Sequence, residues 1–420
     1  MGKYLIHGGN RISGKLNISG GKNAVLPILA ATVLNGNVSV IENCPKISDT
    51  FLAIEILKSI GCKVTVSGST ITVDSSSINN FEVPEHPVRE MRSSIIFLGS
   101  ILSRFGKVKI SYPGGCELGS RPIDLHLKGI QQLGAKIKEE FGYIICETET
   151  LIGTHINLDF PSVGATQNIM LLAVYAQGET IMSNVAKEPE IIDLQEFLNS
   201  MGAKVTGAGT DTIVIQGVKK LRSATHKVMP DRIVAGTYLI AAAITGGEIE
   251  LQGIVPKYMY PITSKLAEAG CKMLTEQNKI RLAAPTKLKA IEKIKTLPHP
   301  GFPTDMQSQF AAMLSICEGS SIIEETIFEA RNKHIPELIR MGANISLLAD
   351  GSTALIKGVS SLQGATVIAK DLRGGAALVL AGLIAEGKTI VENSHFIERG
   401  YEHIHSDLRT LGASIELIKD

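Results

Sequence analysis

The chain has 420 residues, 44% of them hydrophobic and 20% charged, with a formal net charge of +1. That length exceeds one ordinary core and suits two domains of a soluble protein. Scattered Lys and Arg exclude the basic stripe of a nucleic-acid binder, and the longest apolar runs, such as 378–385, are far short of a membrane span. Met1 to Leu5 lack the apolar stretch of a secretory signal. The six Cys (44, 62, 116, 146, 271, 317) form no CxxC pair, which fits reduced thiols in a cytoplasm.

A pattern of about 70 residues recurs six times along the chain, longer than common solenoid periods. The first copy opens with an apolar helix from Asn23 to Leu34, stopped at Gly36. A strand at Asn37–Ile41 follows, and then an amphipathic helix ending at Leu57-Lys58-Ser59-Ile60-Gly61. Two short alternating strands close most copies, as at Ile71-Thr72-Val73. The second helical stop is Gly134. The third copy opens at Gln167–Ala176 before Gly178 and stops at Gly202. The fourth opens with Arg232–Thr245, runs through the strand Glu248–Leu251 and stops at Gly270. The fifth opens at Gln309–Ile316 before Gly319 and stops at Gly342, and the last stop is Gly412. Each stop glycine supplies a left-handed helix end.

The opening helices are apolar on nearly every side, so they must be buried. The strands alternate, so one sheet face can meet solvent. The expected fold is α/β, with helices inside and sheets outside, in two domains of three repeats each. The boundary is expected near Met229-Pro230-Asp231. One domain spans 22–229; the other joins 1–21 to 230–420. The cleft between domains is the expected ligand site.

Several residues depart from the repeat. Pro113 to Pro122 form an insert with three Gly in seven residues and Cys116 near its tip. It is either a surface loop with an incidental thiol or a lid carrying a reactive one, activated by Arg121. Ser19-Gly20-Gly21-Lys22-Asn23 opens the first buried helix, where backbone N–H groups and Lys22 could face an anion. Arg92, Arg121, Arg331, Arg373 and Arg399 each stand at the mouth of a repeat element, and Arg373 is flanked by Asp371. Guanidinium forks match both carboxylate and phosphate. Asp305 precedes a buried helix and is either its cap or a catalytic base. His403 and His405 point to different sides, and no His/Cys cluster has zinc spacing. Neither a metal nor an organic cofactor is expected.

Taken together, Gly20-Gly21-Lys22-Asn23-Ala24, Pro113-Gly114-Gly115-Cys116, Arg121-Pro122-Ile123-Asp124-Leu125-His126, Gly301-Phe302-Pro303-Thr304-Asp305-Met306-Gln307, Asp371-Leu372-Arg373 and Arg399-Gly400-Tyr401-Glu402 resemble the UDP-N-acetylglucosamine enolpyruvyl transferases. The likeness runs in order along essentially the whole chain. It implies an inside-out α/β barrel and the first committed step of peptidoglycan synthesis in the cytoplasm, with phosphoenolpyruvate and UDP-N-acetylglucosamine as substrates. By resemblance, Lys22, Arg121 and Arg399 bind the phosphate and carboxylate of phosphoenolpyruvate, with Arg92 in the same cleft and Asn23 near the reacting centre. Pro122, Ile123, Asp124, Leu125 and His126 border the uridine, and Ser162, Val163 and Gly164 the diphosphate. Asp305 and Ile327 hold the glucosamine. Arg331 pairs across the closed cleft, with Asp371 and Arg373 completing the domain contact. Cys116 matches the cysteine that the epoxide antibiotic fosfomycin alkylates in this family, so the resemblance implies the same susceptibility here. One position departs from the pattern: Ile96 stands where the family often carries Trp. The sister transferase acting on shikimate 3-phosphate and a non-catalytic UDP-sugar-binding scaffold are the alternatives. Oligomeric state is not legible.

Overall fold

Where the sequence is apolar all round, the chain forms helices with no solvent face. Every residue of the helices Arg232–Ile244, Gln307–Leu314 and Leu372–Gly382 is buried. These helices pack on one another as the centre of one unit, 1–19 with 230–420. In the other unit the helix Ile96–Phe105 packs against both Lys22–Ala31 and Val163–Ala173. The computed structural model describes residues 2–114 and 123–419. Cys116, Arg121 and Pro122 lie outside the described residues.

Around each trio of helices stand three sheets, six in all among the described residues, five of four strands and one of three. Strands such as Val38–Glu42 and Tyr143–Glu147 alternate buried with more exposed residues, so one face covers the helices and the other meets water. Each unit has its own apolar core. The second, amphipathic helix of every repeat ends in a glycine at the same place: Gly61, Gly134, Gly202, Gly270, Gly342 and Gly412 have φ between 93° and 102°. A side chain is strained at that backbone geometry, so the stops recur as Gly.

The periodicity alone does not show which strand joins which sheet. Ser13–Asn17 leads into the first buried helix, yet it pairs in parallel with Glu248–Gln252 of the fourth repeat. Ala224–Lys227 leads into the fourth buried helix, yet it pairs with Val38–Glu42 of the first. The chain passes between the units at 19/20 and at 229/230, and these two strands are exchanged at the crossings. Lys3–His7 lies between Lys388–Glu392 and Ser414–Ile418, antiparallel to both, and completes the sixth sheet. No helix among the described residues is long and apolar enough to cross a membrane.

Candidate active site

In the unit made of 20–229, Lys22 is the first residue of the helix Lys22–Ala31, and Asn23 is exposed beside it. The Lys22 ammonium lies 2.6 Å from Asp49, a carboxylate with 1% exposure on the helix Ser48–Ser59. Asp49 was not singled out by the sequence; its buried position within an amphipathic helix is the signal that could have marked it. Arg92 opens a 3₁₀ turn, Arg92–Ile95, that runs into Ile96–Phe105. Ile96 is buried in the first turn of that helix.

Asp124 starts the helix Asp124–Gln132 and is exposed; Leu125 is half-buried and Ile123 is buried. His126 is buried rather than open to solvent. Its Nδ1 lies 3.0 Å from the Asn168 amide nitrogen, and its ring lies against Gly164. Burial, together with Arg92, pushes its pKa down to about 4, so it is neutral near pH 7. Ser162 is the residue before the helix Val163–Ala173, and Val163 and Gly164 form its opening.

In the unit that includes 230–419, Asp305 sits in a 3₁₀ turn, Thr304–Met306, and makes no cap. Its carboxylate instead accepts from two guanidinium groups, Arg331 Nη2 at 2.8 Å and Arg373 Nη2 at 3.1 Å. The two arginine side chains are 2% and 3% exposed, while Asp305 is 25% exposed. Burial opposes ionisation of Asp305, but Arg373 and Arg331 outweigh it and hold the carboxyl well below the usual carboxylate range. Arg331 and Arg373 were expected at an interdomain contact. Within their own unit each donates through Nη2 to Asp305. Asp371 caps the helix Leu372–Gly382, accepting from Arg373 N and Gly374 N through Oδ1. Arg399 follows the helix Ser394–Glu398 and is half-buried.

Two supports were not anticipated. Glu325, 3% exposed, accepts from the backbone N–H of Ile327 at 2.8 Å and of Phe328 at 3.1 Å, and so fixes the turn that carries Ile327. Tyr401, 1% exposed, bonds Thr237 Oγ1 at 2.8 Å and accepts from Gln309 Nε2 at 3.2 Å, while Arg373 lies over its ring at 5.5 Å. Polar residues inside otherwise apolar helices, such as Thr237 and Gln309, were the available signal. Among the described residues no group of three or more His, Cys, Asp or Glu is placed to hold a metal ion.

The charged groups described at the expected positions are thus Asp305 between Arg331 and Arg373 in one unit, and Lys22 and Arg92 at helix openings in the other. A family model of EPSP synthase (3-phosphoshikimate 1-carboxyvinyltransferase) matches residues 6–408, and the chain belongs to that family. Within it, the chain is 53% identical over 415 residues to UDP-N-acetylglucosamine 1-carboxyvinyltransferase 2 of Caldanaerobacter subterraneus subsp. tengcongensis, covering 99% of each. Among solved structures, the enolpyruvyl transferase NikO from Streptomyces tendae superposes with a TM-score of 0.90 at 25% identity, covering 100% of this chain and 99% of that one. EPSP synthase from Acinetobacter baumannii has a TM-score of 0.76 at 17% identity over 100% of both, a likeness of fold.

Proposed function

We infer that the chain transfers the enolpyruvyl (carboxyvinyl) group of phosphoenolpyruvate to the 3-hydroxyl of UDP-N-acetylglucosamine, releasing phosphate, as the first committed step of peptidoglycan synthesis. One observation carries the reading: 53% identity across 99% of both chains with a relative of that name. The shikimate 3-phosphate transferase is disfavoured by comparison, with 17% identity to the EPSP synthase structure. A non-catalytic scaffold is disfavoured because the relative matched along 99% of both chains is named as a transferase.

The chemistry follows from the substrates. The methylene carbon of phosphoenolpyruvate gains a proton, and the carbon bearing phosphate becomes cationic. The sugar hydroxyl attacks that carbon and loses its proton. The resulting tetrahedral phosphate-bearing intermediate then loses phosphate and a methyl proton, which restores the double bond. Lys22, Arg121 and Arg399 offset the phosphate and carboxylate charge, with Arg92 in the same group and Asn23 at the reacting carbon. Cys116 supplies the proton or governs covalent capture and product release. Pro122 to His126 face the uridine, Ser162 to Gly164 the diphosphate, and Ile327 the sugar.

Asp305 takes the hydroxyl proton. Two arginines make it a weak base at rest. Once the C–O bond begins to form, however, the attacking oxygen becomes positive and far more acidic than any carboxylic acid, so a weak carboxylate suffices. The same arginines keep it ionised at every working pH. A cytoplasmic location agrees with free, buried Cys44, Cys62, Cys146, Cys271 and Cys317.

The test is phosphate release from phosphoenolpyruvate with each acceptor in turn. Release is expected with UDP-N-acetylglucosamine and not with shikimate 3-phosphate. Release only with shikimate 3-phosphate, or with neither, sinks the proposal.

A further inference from the structure

The helix Val163–Ala173 carries three consecutive polar residues, Thr166, Gln167 and Asn168, all buried in an apolar core. Asn168 has no exposure and makes three hydrogen bonds. Its Oδ1 accepts from Gly99 N–H at 2.6 Å. Its Nδ2 donates to the Ile95 carbonyl at 2.9 Å and faces His126 Nδ1 at 3.0 Å. The amide therefore straddles one turn at the start of the helix Ile96–Phe105, directly after the 3₁₀ turn that begins with Arg92. The approach is close: a Cβ on Gly99 would stand 2.3 Å from both the Asn168 carbonyl oxygen and its Oδ1. Only glycine allows it.

Orientation follows from donor and acceptor accounting. A backbone N–H can only donate and a backbone carbonyl can only accept. Gly99 therefore requires the oxygen of the Asn168 amide, and Ile95 requires its nitrogen. The amide has no second way round. Its NH₂ has two protons: one serves Ile95, the other points at His126 Nδ1. That ring nitrogen must accept, so the neutral imidazole carries its proton on Nε2.

We propose that Asn168 is a positioning residue that fixes His126 as the neutral, Nε2-protonated tautomer, a directed donor for an acceptor oxygen of the nucleotide sugar. The proposal deepens the reading above and rests on it for the identity of that ligand. Nε2 stands beside the opening of the helix Val163–Ala173, where a Cβ on Gly164 would lie 3.1 Å from it. No acceptor among the described residues takes its proton. Burial and the nearby Arg92 keep the ring uncharged. A neutral donor suits an oxygen that must be recognised and released, because it adds direction without another buried charge.

The deciding measurement is a long-range ¹H–¹⁵N spectrum of histidine-labelled, ligand-free protein, with His126 assigned by the signal lost in His126→Gln. A protonated Nε2 and an unprotonated Nδ1 are expected, unchanged from pH 6 to 8. An Nδ1-protonated ring, or titration in the ordinary histidine range, overturns the proposal. Asn168→Asp keeps the acceptor for Gly99 but presents an oxygen to His126 Nδ1, so the proton should move to Nδ1. Loss of one hydrogen bond of about 1.4 kcal/mol corresponds to a KM for UDP-N-acetylglucosamine raised about tenfold, with the KM for phosphoenolpyruvate within about twofold. An unchanged tautomer, or equal changes in both constants, counts against Asn168 as the cause. If Asn168→Asp does not fold, the wild-type spectrum decides alone. Because that spectrum needs no substrate, its outcome is independent of the acceptor assay. A chain inactive with UDP-N-acetylglucosamine overturns the function and leaves the tautomer standing.

Discussion

Asp305→Asn separates what Asp305 does for the fold from what it does for the reaction. The change keeps volume and one acceptor but removes the charge between Arg331 and Arg373, whose side chains are 2% and 3% exposed. Breaking a fully buried pair costs about 3–5 kcal/mol. Asp305 is 25% exposed and partly solvated, so the cost falls below that range, to about 2–3 kcal/mol. Urea unfolding should show this as a lower midpoint for the unit containing 230–419. Phosphate release should fall roughly 10²-fold or more if the carboxylate takes the hydroxyl proton. The pH dependence has a defined sign. The folded-state pKa is depressed, so the stabilisation is fully present above the unfolded value of about 3.9 and is lost as pH falls through the folded one. The stability gap between wild type and Asp305→Asn should therefore be flat from pH 8 to pH 5. A gap that closes between pH 7 and 5, or a variant with wild-type midpoint and wild-type turnover, refutes the reasoning.

Three other outcomes are expected. Fosfomycin should modify Cys116 alone in peptide mapping, because burial pushes Cys44, Cys62, Cys146 and Cys317 to about 12 and Cys271 to about 11; adducts spread over several cysteines would contradict this. Gly99→Ala should destabilise by about 1–3 kcal/mol or more through overpacking against Asn168, read as a lower unfolding midpoint. Tyr401→Phe keeps the ring under Arg373 but strips a partner from buried Thr237 and Gln309, so about 1–3 kcal/mol should be lost with turnover nearly intact; a collapse of turnover at unchanged stability would give the hydroxyl a direct catalytic role instead.

The repeat was legible because its marks are local. A glycine stop, an apolar helix and an alternating strand each declare themselves within a dozen residues. The exchange of Ser13–Asn17 and Ala224–Lys227 was not, since either strand shows the same alternation whichever sheet it joins. The charged residues could be named one at a time, but their partners could not. Asp305 meets Arg331 and Arg373 from 26 and 68 residues away, a pairing set by tertiary packing. The resemblance set His126 beside the uridine without showing that its ring is buried. One turn of helix buries it against Asn168, a residue that periodicity treats as noise.

Lys3–His7 leaves the ribosome nearly 400 residues ahead of its partners Lys388–Glu392 and Ser414–Ile418. At about 5–20 residues per second, nearly 400 residues of waiting amount to roughly 20–80 s with two strand edges unpaired. Ser13–Asn17 waits similarly for Glu248–Gln252. The stretch 20–229 is complete sooner, for it contains both ends of its own exchange and Val38–Glu42 meets Ala224–Lys227 after roughly 180 residues, about 9–36 s at that rate. Vectorial synthesis thus favours a finished 20–229 unit carrying a loose N-terminal thread. Released as a fragment, 20–229 has every strand it needs, whereas 230–420 alone lacks the centre of one sheet and the edge of another.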